Sequence, residues 1–190
     1  MGLERAGSVV FVGSMDWPPN QDAVRYFVEQ IWPKIRGEHP NAEFQIVGRH
    51  PPPRVRQLSD VPGVSVTGTV PDVRPFLASA SVVVVPLLAG GGTRLKIFEA
   101  MAMEKAVVST RLGAAGLDVR HGAHILLEDE ASRFADAVCQ LLTDERARVR
   151  LGRAARRWVC ERYGAERVAR QFDRVCRSVS APAAARVKTR

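Results

Sequence analysis

The sequence predicts an α/β fold: a parallel sheet of about six strands with helices on both faces, followed by a helical C-terminal segment. Three observations carry this. Short apolar runs rich in valine and isoleucine recur along the chain, each closed by a glycine or a proline. Between them the apolar spacing changes to the 3.6-residue period of helices. The connections between the runs are too long for hairpins and long enough for crossovers between parallel strands.

Ser8-Val9-Val10-Phe11-Val12, ending at Gly13, is the first strand. After Pro18-Pro19-Asn20 the period changes, and Val24, Phe27, Val28, Ile31 and Ile35 fall on one stripe of a helix that Asn20 is placed to cap. Glu43 to Val47, closed by Gly48, is the second strand, and Val64 to Thr67, closed by Gly68, is the third. Pro71-Asp72 opens a short helix through Ala80. Val82 to Val85 is uniformly apolar, as a central strand covered on both faces must be. A loop from Leu87 to Thr93 leads to a helix over Arg94–Met103, then a fifth strand over Ala106–Thr110 and a sixth at Ile125–Leu127. Beyond Glu130 the pattern is helical: Phe134, Val138, Leu141 and Leu142 on one stripe, then Val149, Trp158 and Val159, then Val168, Phe172 and Val175. Residues 1–7 form a lead-in, 8–180 one domain, and 181–190, rich in Ala, Pro and Arg, a tail expected to be disordered.

Apolar residues make up 46% of the 190 and aromatics 6%, which is enough apolar material for one sizeable core. No apolar run reaches the length of a membrane span, and Met1 to Arg5 lacks the features of a signal peptide, so a soluble, cytoplasmic protein is expected. Cys139, Cys160 and Cys176 lie far apart and read as reduced thiols. The histidines at 39, 50, 121 and 124 have no metal-ligand spacing, and no metal or cofactor is expected. Charge is uneven: residues 1–145 hold 14 Lys/Arg against 17 Asp/Glu, whereas 146–190 hold 14 against 3. That basic segment reads either as a solvated helix face or as a peripheral contact with the inner face of a membrane. With no groove-reading helix or stacking aromatics in sight, a nucleic-acid partner is not expected.

In parallel sheets of this kind ligands bind at the carboxyl ends of the strands. That directs attention to Gly13-Ser14, Gly48-Arg49, Gly68-Thr69-Val70, Gly90 to Lys96 and Thr110-Arg111. The segment Gly90-Gly91-Gly92-Thr93-Arg94-Leu95-Lys96 is the sharpest: three glycines allow close backbone approach and feed a helix N-terminus, whose free N–H groups favour an anion. Arg94 and Lys96 in the first turn oppose the helix dipole, so an anionic ligand explains them better than helix stability does. Gly91 and Gly92, leading into that helix start, are expected to cradle a diphosphate. Glu99, one turn on, can accept two hydroxyl hydrogen bonds, as the vicinal hydroxyls of a ribose offer. On the residues alone, a surface Glu99–Lys96 pair beside a flexible loop remains the competing reading.

Glu99-Ala100-Met101-Ala102, followed by Met103-Glu104-Lys105 and the strand Ala106 to Thr110, resembles the C-terminal-domain signature of the family 4 retaining glycosyltransferases of GT-B fold. The resemblance extends over roughly residues 8–178, through Phe11-Val12-Gly13, Ile46-Val47-Gly48, Val66 to Asp72 and Trp158 to Tyr163. It implies a Rossmann-like domain that forms one half of a two-domain enzyme and binds a nucleotide-sugar donor. Glu99 would then be the second glutamate of the Glu-x7-Glu motif and hold the donor ribose. Thr93, Arg94 and Leu95 would meet the diphosphate, and Thr69-Val70 the base. Ser14 and Gly48, in the loops after the first two strands, complete the expected donor site.

Two departures stand out. Gly91 occupies the place of the first motif glutamate, and the Arg and Lys pair expected after the first strand is not evident in Gly13 to Asn20. Lys96, with Arg94, is the expected replacement and the expected catalytic cation. A branch of bacterial members active in exopolysaccharide assembly similarly combines an early Pro-Asn with a lysine three residues before the motif glutamate. The resemblance further implies a glycan or lipid-linked acceptor held by an N-terminal domain that this sequence does not contain, and a chain inactive without it. A nucleotide-sugar epimerase half and a non-catalytic nucleotide-binding remnant are the alternatives.

Overall fold

The structure, a computed structural model, describes residues 4–92 and 94–180. It contains one six-stranded sheet whose strands are β1 (Ser8–Val12), β2 (Glu43–Val47), β3 (Val64–Gly68), β4 (Val82–Val85), β5 (Ala106–Ser109) and β6 (Leu126–Leu127). Their order across the sheet is β3-β2-β1-β4-β5-β6, and every pairing is parallel. β1, β4 and β5 are buried along their whole length, as uniform Val-rich runs in a doubly covered sheet require. The Rossmann-like architecture expected from the sequence is therefore the one observed.

The helices are α1 (Pro18–Tyr26), α2 (Trp32–Glu38), α3 (Pro53–Arg56), α4 (Arg74–Ser79), α5 (Leu95–Ala102), α6 (Ala131–Thr143), α7 (Glu145–Tyr163) and α8 (Ala165–Ser180). α2 packs against α6 and α5 against α7, and β5 touches α5, α6 and α7. Phe27, Trp32, Phe44 and Phe134 form the aromatic centre of the core, with the Phe27 and Phe44 rings 4.4 Å apart. A second cluster stacks Phe98 of α5 and His124 on Trp158 of α7.

Several boundaries differ from the sequence reading, each for a local reason. Asn20 does not cap the first helix, which starts at Pro18 with Trp17 in the cap position. Proline needs no N–H in a first turn and is pre-set to helical φ, so Pro18-Pro19 moves the start forward. The expected single helix is also interrupted by a π-helical turn at Phe27–Ile31 ahead of Pro33. Pro33 cannot donate to the carbonyl four residues back, and the wider turn absorbs the missing bond. The stripe itself holds, because Val24, Phe27, Val28, Ile31 and Ile35 are all buried. α4 begins at Arg74 rather than Pro71, after the Asp72 carboxylate has accepted the Arg74 backbone N–H at 2.9 Å. α3 and the 3-10 turn at Gln57–Asp60 escaped the sequence reading, being too short to show a period.

Asp144 caps α7 by accepting the Ala147 N–H at 2.8 Å. Trp158 and Val159 are buried, but Val168, Phe172 and Val175 on α8 are 51%, 69% and 54% exposed, so that stripe lies open. No helix among the described residues is long and apolar enough to cross a membrane. Residues 1–3, Thr93 and the tail 181–190 lie outside the described residues.

Candidate functional site

The strand order places a reversal between β1 and β4. From β1 the chain moves outward to β2 and β3, then crosses back and moves the other way through β4, β5 and β6. The loops leaving the carboxyl ends of β1 and β4 therefore diverge and leave a crevice, the position where open parallel sheets bind ligands. The loop after β1 is Gly13–Trp17, and the loop after β4 is Pro86–Arg94.

The glycine-rich loop is shaped by two side chains. Gly90, at φ +119°, lies on the Trp17 ring so closely that a β-carbon there would stand 2.7 Å from it. Gly92 is at φ +85°, and β-carbons on Gly91 and Gly92 would meet nothing within 4 Å. The turn is thus open where a ligand would approach. Beneath it Arg94, only 5% exposed, occupies the cap position of α5. Its guanidinium donates to the carbonyls of Gly91 at 3.1 Å, Gly90 at 3.1 Å and Leu112 at 2.9 Å. Arg94 fixes the loop and places a buried positive charge under it. Thr93 lies outside the described residues, and Leu95 is 63% exposed at the start of the helix.

Lys96 turns inward from the same helix turn. Its ammonium donates to Asn20 Oδ1 at 2.7 Å and stands 4.2 Å from the centre of the Phe11 ring. Asn20 is 3% exposed and donates in turn to the Ser14 carbonyl at 2.8 Å. A side chain on Gly13 is excluded, since its β-carbon would lie 2.7 Å from Asn20 Nδ2 and 2.8 Å from Lys96 Nζ. Burial is the main cause that pulls the Lys96 pKa down, to about 7; the charge of Arg94 lowers it further and Glu99 raises it.

Glu99 is exposed one turn along α5, close enough to Lys96 to be felt electrostatically. Ser14 is held by its neighbours: its hydroxyl donates to Asp16 and accepts from Arg49 Nε at 2.8 Å. Gly48 is buried against the Gly13 carbonyl. Thr69 is exposed and Val70 half-buried after the positive-φ Gly68, at the outer edge of the sheet. The two loops and the start of α5 thus bring together Ser14, Gly91, Gly92, Arg94 and Lys96, with Glu99 exposed one turn further along α5 and Gly48, Thr69 and Val70 on the loops beyond.

Sequence reasoning missed Asn20 and Trp17 as members of this group, and reached Arg49 only through its loop, Gly48-Arg49. Trp17 carries no pattern of its own. Asn20 had two available signals: it follows a proline pair that already supplies the helix start, which leaves its side chain free for another task, and it belongs to the Pro-Asn that the resemblance combines with a lysine three residues before Glu99.

Two other clusters of polar groups lie away from this site. A cavity of about 350 Å³ opens near the amino ends of β4 and β5, beside Glu4, Lys105 and Arg148. There Lys105 donates to the Ala78 and Ala80 carbonyls, and Arg148 pairs with Glu4. Glu38, His39 and Cys139 come within 4.8 Å of one another. Burial and Glu38 push the Cys139 thiol up to about 12, which favours the protonated form that does not ligate a metal.

Comparison with known proteins gives this geometry a context. Residues 6–144 match the family described as "Glycosyl transferases group 1". A phosphatidyl-myo-inositol mannosyltransferase of Mycolicibacterium smegmatis is 32% identical over 187 residues, covering 94% of this chain and 47% of the relative. Among solved structures, a sucrose-phosphate synthase from Thermosynechococcus elongatus superposes with a TM-score of 0.74 at 22% identity, over 92% of this chain and 45% of that one. The Anabaena HepE protein, solved in complex with UDP-glucose, gives a TM-score of 0.70 at 17% identity, over 90% and 49%. The chain spans about half the length of each.

Proposed function

This chain belongs to the glycosyl transferases group 1 family, and we propose that it is the donor-binding half of a retaining, GT-B, family 4 glycosyltransferase of the exopolysaccharide-associated branch. Its ligand is a nucleoside-diphosphate sugar, and the acceptor is a glycan or a lipid-linked glycan held by an N-terminal domain outside this sequence. The observation that carries the reading is the open glycine turn at the sheet's reversal point, with the buried Arg94 guanidinium holding it and the half-buried Lys96 ammonium beside it, both bonded only to neutral acceptors. A buried cation without a carboxylate partner is costly, and a bound anion removes that cost.

In this reading the free N–H groups at the start of α5 and the Lys96 ammonium meet the two phosphates, while Glu99 accepts the ribose hydroxyls. As the bond from sugar to phosphate breaks, negative charge grows on the leaving diphosphate. Donors fixed in advance stabilise that charge more than they stabilise the bound substrate. No protein nucleophile and no metal is needed for this step. The half alone transfers nothing, because the acceptor groups are not in it. Peripheral contact of the arginine-rich α7–α8 region with an acidic membrane face is part of the same proposal.

A second reading, a nucleotide-binding remnant, is favoured by Gly91, which leaves no carboxylate to meet the transferred sugar. Thermal melting with millimolar UDP, GDP or ADP tests donor binding. A nucleotide present at 100 times its dissociation constant adds about 2.7 kcal/mol to stability. If none of the three raises the melting temperature, donor binding is refuted. Exchange of the donor sugar's stereochemistry without transfer, in the two-domain protein, would instead indicate an epimerase.

A further inference from the structure

A side-chain hydrogen bond between residues 76 positions apart, from Lys96 on α5 to Asn20 on α1, joins the two sides of the crevice. Three features of this contact are unusual for a structural hydrogen bond. The acceptor is a neutral amide, although a buried ammonium is better stabilised by a carboxylate. Asn20 is itself fixed, since its Nδ2 donates to the Ser14 carbonyl and so leaves Oδ1 aimed at Lys96. The chain also keeps a glycine at position 13, where any β-carbon would collide with both groups.

We propose that Asn20 is a positioning residue of the anion site: it fastens the Lys96 ammonium to the loop after β1, so that the cation stands over the crevice and not out in solvent beside Glu99. Lys96 and Glu99 are three residues apart on α5, a spacing at which opposite charges pair on a helix surface. A paired Lys96 would leave neither a free cation for phosphate nor a free carboxylate for hydroxyls. Asn20 separates the two. Because its oxygen is neutral, it holds the ammonium without cancelling the charge, which an aspartate at the same place would do. The other charged groups that act on Lys96 are Arg94, at the cap of α5, and Glu99 within it, while Phe11 faces it from β1 with no charge.

The inference rests on the donor-site reading for the identity of the ligand, but its test does not. The chain has four lysines, so their ε-carbons can be followed by NMR in 13C-labelled protein, with the Lys96 signal identified by its loss in Lys96→Met. The probes are inorganic pyrophosphate and UDP. Pyrophosphate is expected to move the Lys96 signal and raise its titration midpoint in the wild type. Asn20→Ala is expected to weaken pyrophosphate binding roughly five- to tenfold, the scale of one charged hydrogen bond, and Asn20→Asp at least as much.

Asn20→Ala combined with Lys96→Met should bind pyrophosphate no more weakly than Lys96→Met alone, because a residue that acts through Lys96 has nothing left to position. Should Asn20→Ala fail to fold, Asn20→Ser, too short to hold both groups, is read in the same cycle. Equal losses in the two backgrounds, a Lys96 signal indifferent to pyrophosphate, or no pyrophosphate binding at millimolar concentration would each overturn the proposal. If instead the coupling is found, but UDP binds no tighter than pyrophosphate and Glu99→Ala changes neither, the positioning role stands and the nucleotide reading fails.

Discussion

Gly48 stands against Gly13 so closely that a β-carbon on it would lie 1.8 Å from the Gly13 carbonyl oxygen. The contact is backbone on backbone, in a place where the loops after β1 and β2 continue the sheet's hydrogen bonding through Gly13 N to Val47 O and Met15 N to Arg49 O. No side chain can swing aside to relieve it. Gly48→Ala is therefore expected to cost about 1–3 kcal/mol, measured by chemical denaturation. Gly91→Ala is the contrast: its β-carbon meets open space and its φ is negative, so stability should stay within about 0.5 kcal/mol.

Arg94→Lys is expected to be a severe change despite the conserved charge. The guanidinium divides its donors among the carbonyls of Gly90, Gly91 and Leu112, a fork that a single ammonium cannot reproduce. A loss of about 1–3 kcal/mol follows from carbonyls left without donors. Hydrogen exchange should quicken at the amides of residues 88–92. Unchanged exchange in a folded Arg94→Lys protein would show that the loop holds its shape without the guanidinium.

These two cases show what could be read in the sequence. Val82–Val85 announced a doubly buried strand because an uninterrupted β-branched run has few other uses, and the expectation of an anion site at Gly90 to Glu99 could be formed because that pattern is local. Loop, helix start and charges are contiguous there. The direction of Arg94 was not legible, since it depends on the Leu112 carbonyl, 18 residues away on another loop. The Asn20–Lys96 contact was hidden for the same reason, since its two residues lie 76 positions apart, and Asn20 was read as a helix cap although Pro18-Pro19 already starts the helix. Periodicity identified Val168, Phe172 and Val175 as one helix stripe, but a period says nothing about what lies opposite that stripe.

Lys96 should make the fold's stability depend on pH. Its folded pKa, about 7, lies below the ordinary lysine value of 10.5, so between those limits the unfolded chain binds one proton more than the folded one. Stability contributed by this group therefore rises as pH increases from about 7 toward 10.5 and is lowest below 7, where the buried ammonium must carry its charge. Lys96→Met should flatten the curve over that range, as followed by denaturation midpoints at half-unit pH steps. Affinity for pyrophosphate should move the opposite way, falling as pH rises through 7 and the ammonium is lost. Parallel pH curves for the wild type and Lys96→Met would mean that Lys96 titrates at its ordinary value.

Glu99→Ala separates a ribose contact from a surface ornament. The residue is exposed, so its removal should leave the melting temperature nearly unchanged, while UDP binding weakens by about 1–3 kcal/mol, the scale of charged hydrogen bonds to hydroxyls. Loss of affinity alone would not prove the contact, because Glu99 also raises the Lys96 pKa and so could act through the phosphates. Replacing the ligand resolves this. If the carboxylate takes the ribose hydroxyls, the cost of Glu99→Ala should shrink when UDP is replaced by 2′-deoxy-UDP, since one hydrogen bond is already missing. If it acts through Lys96, the cost should be the same for both nucleotides and should appear with pyrophosphate as well. A folded Glu99→Ala protein with unaltered UDP affinity would remove the residue from the site altogether.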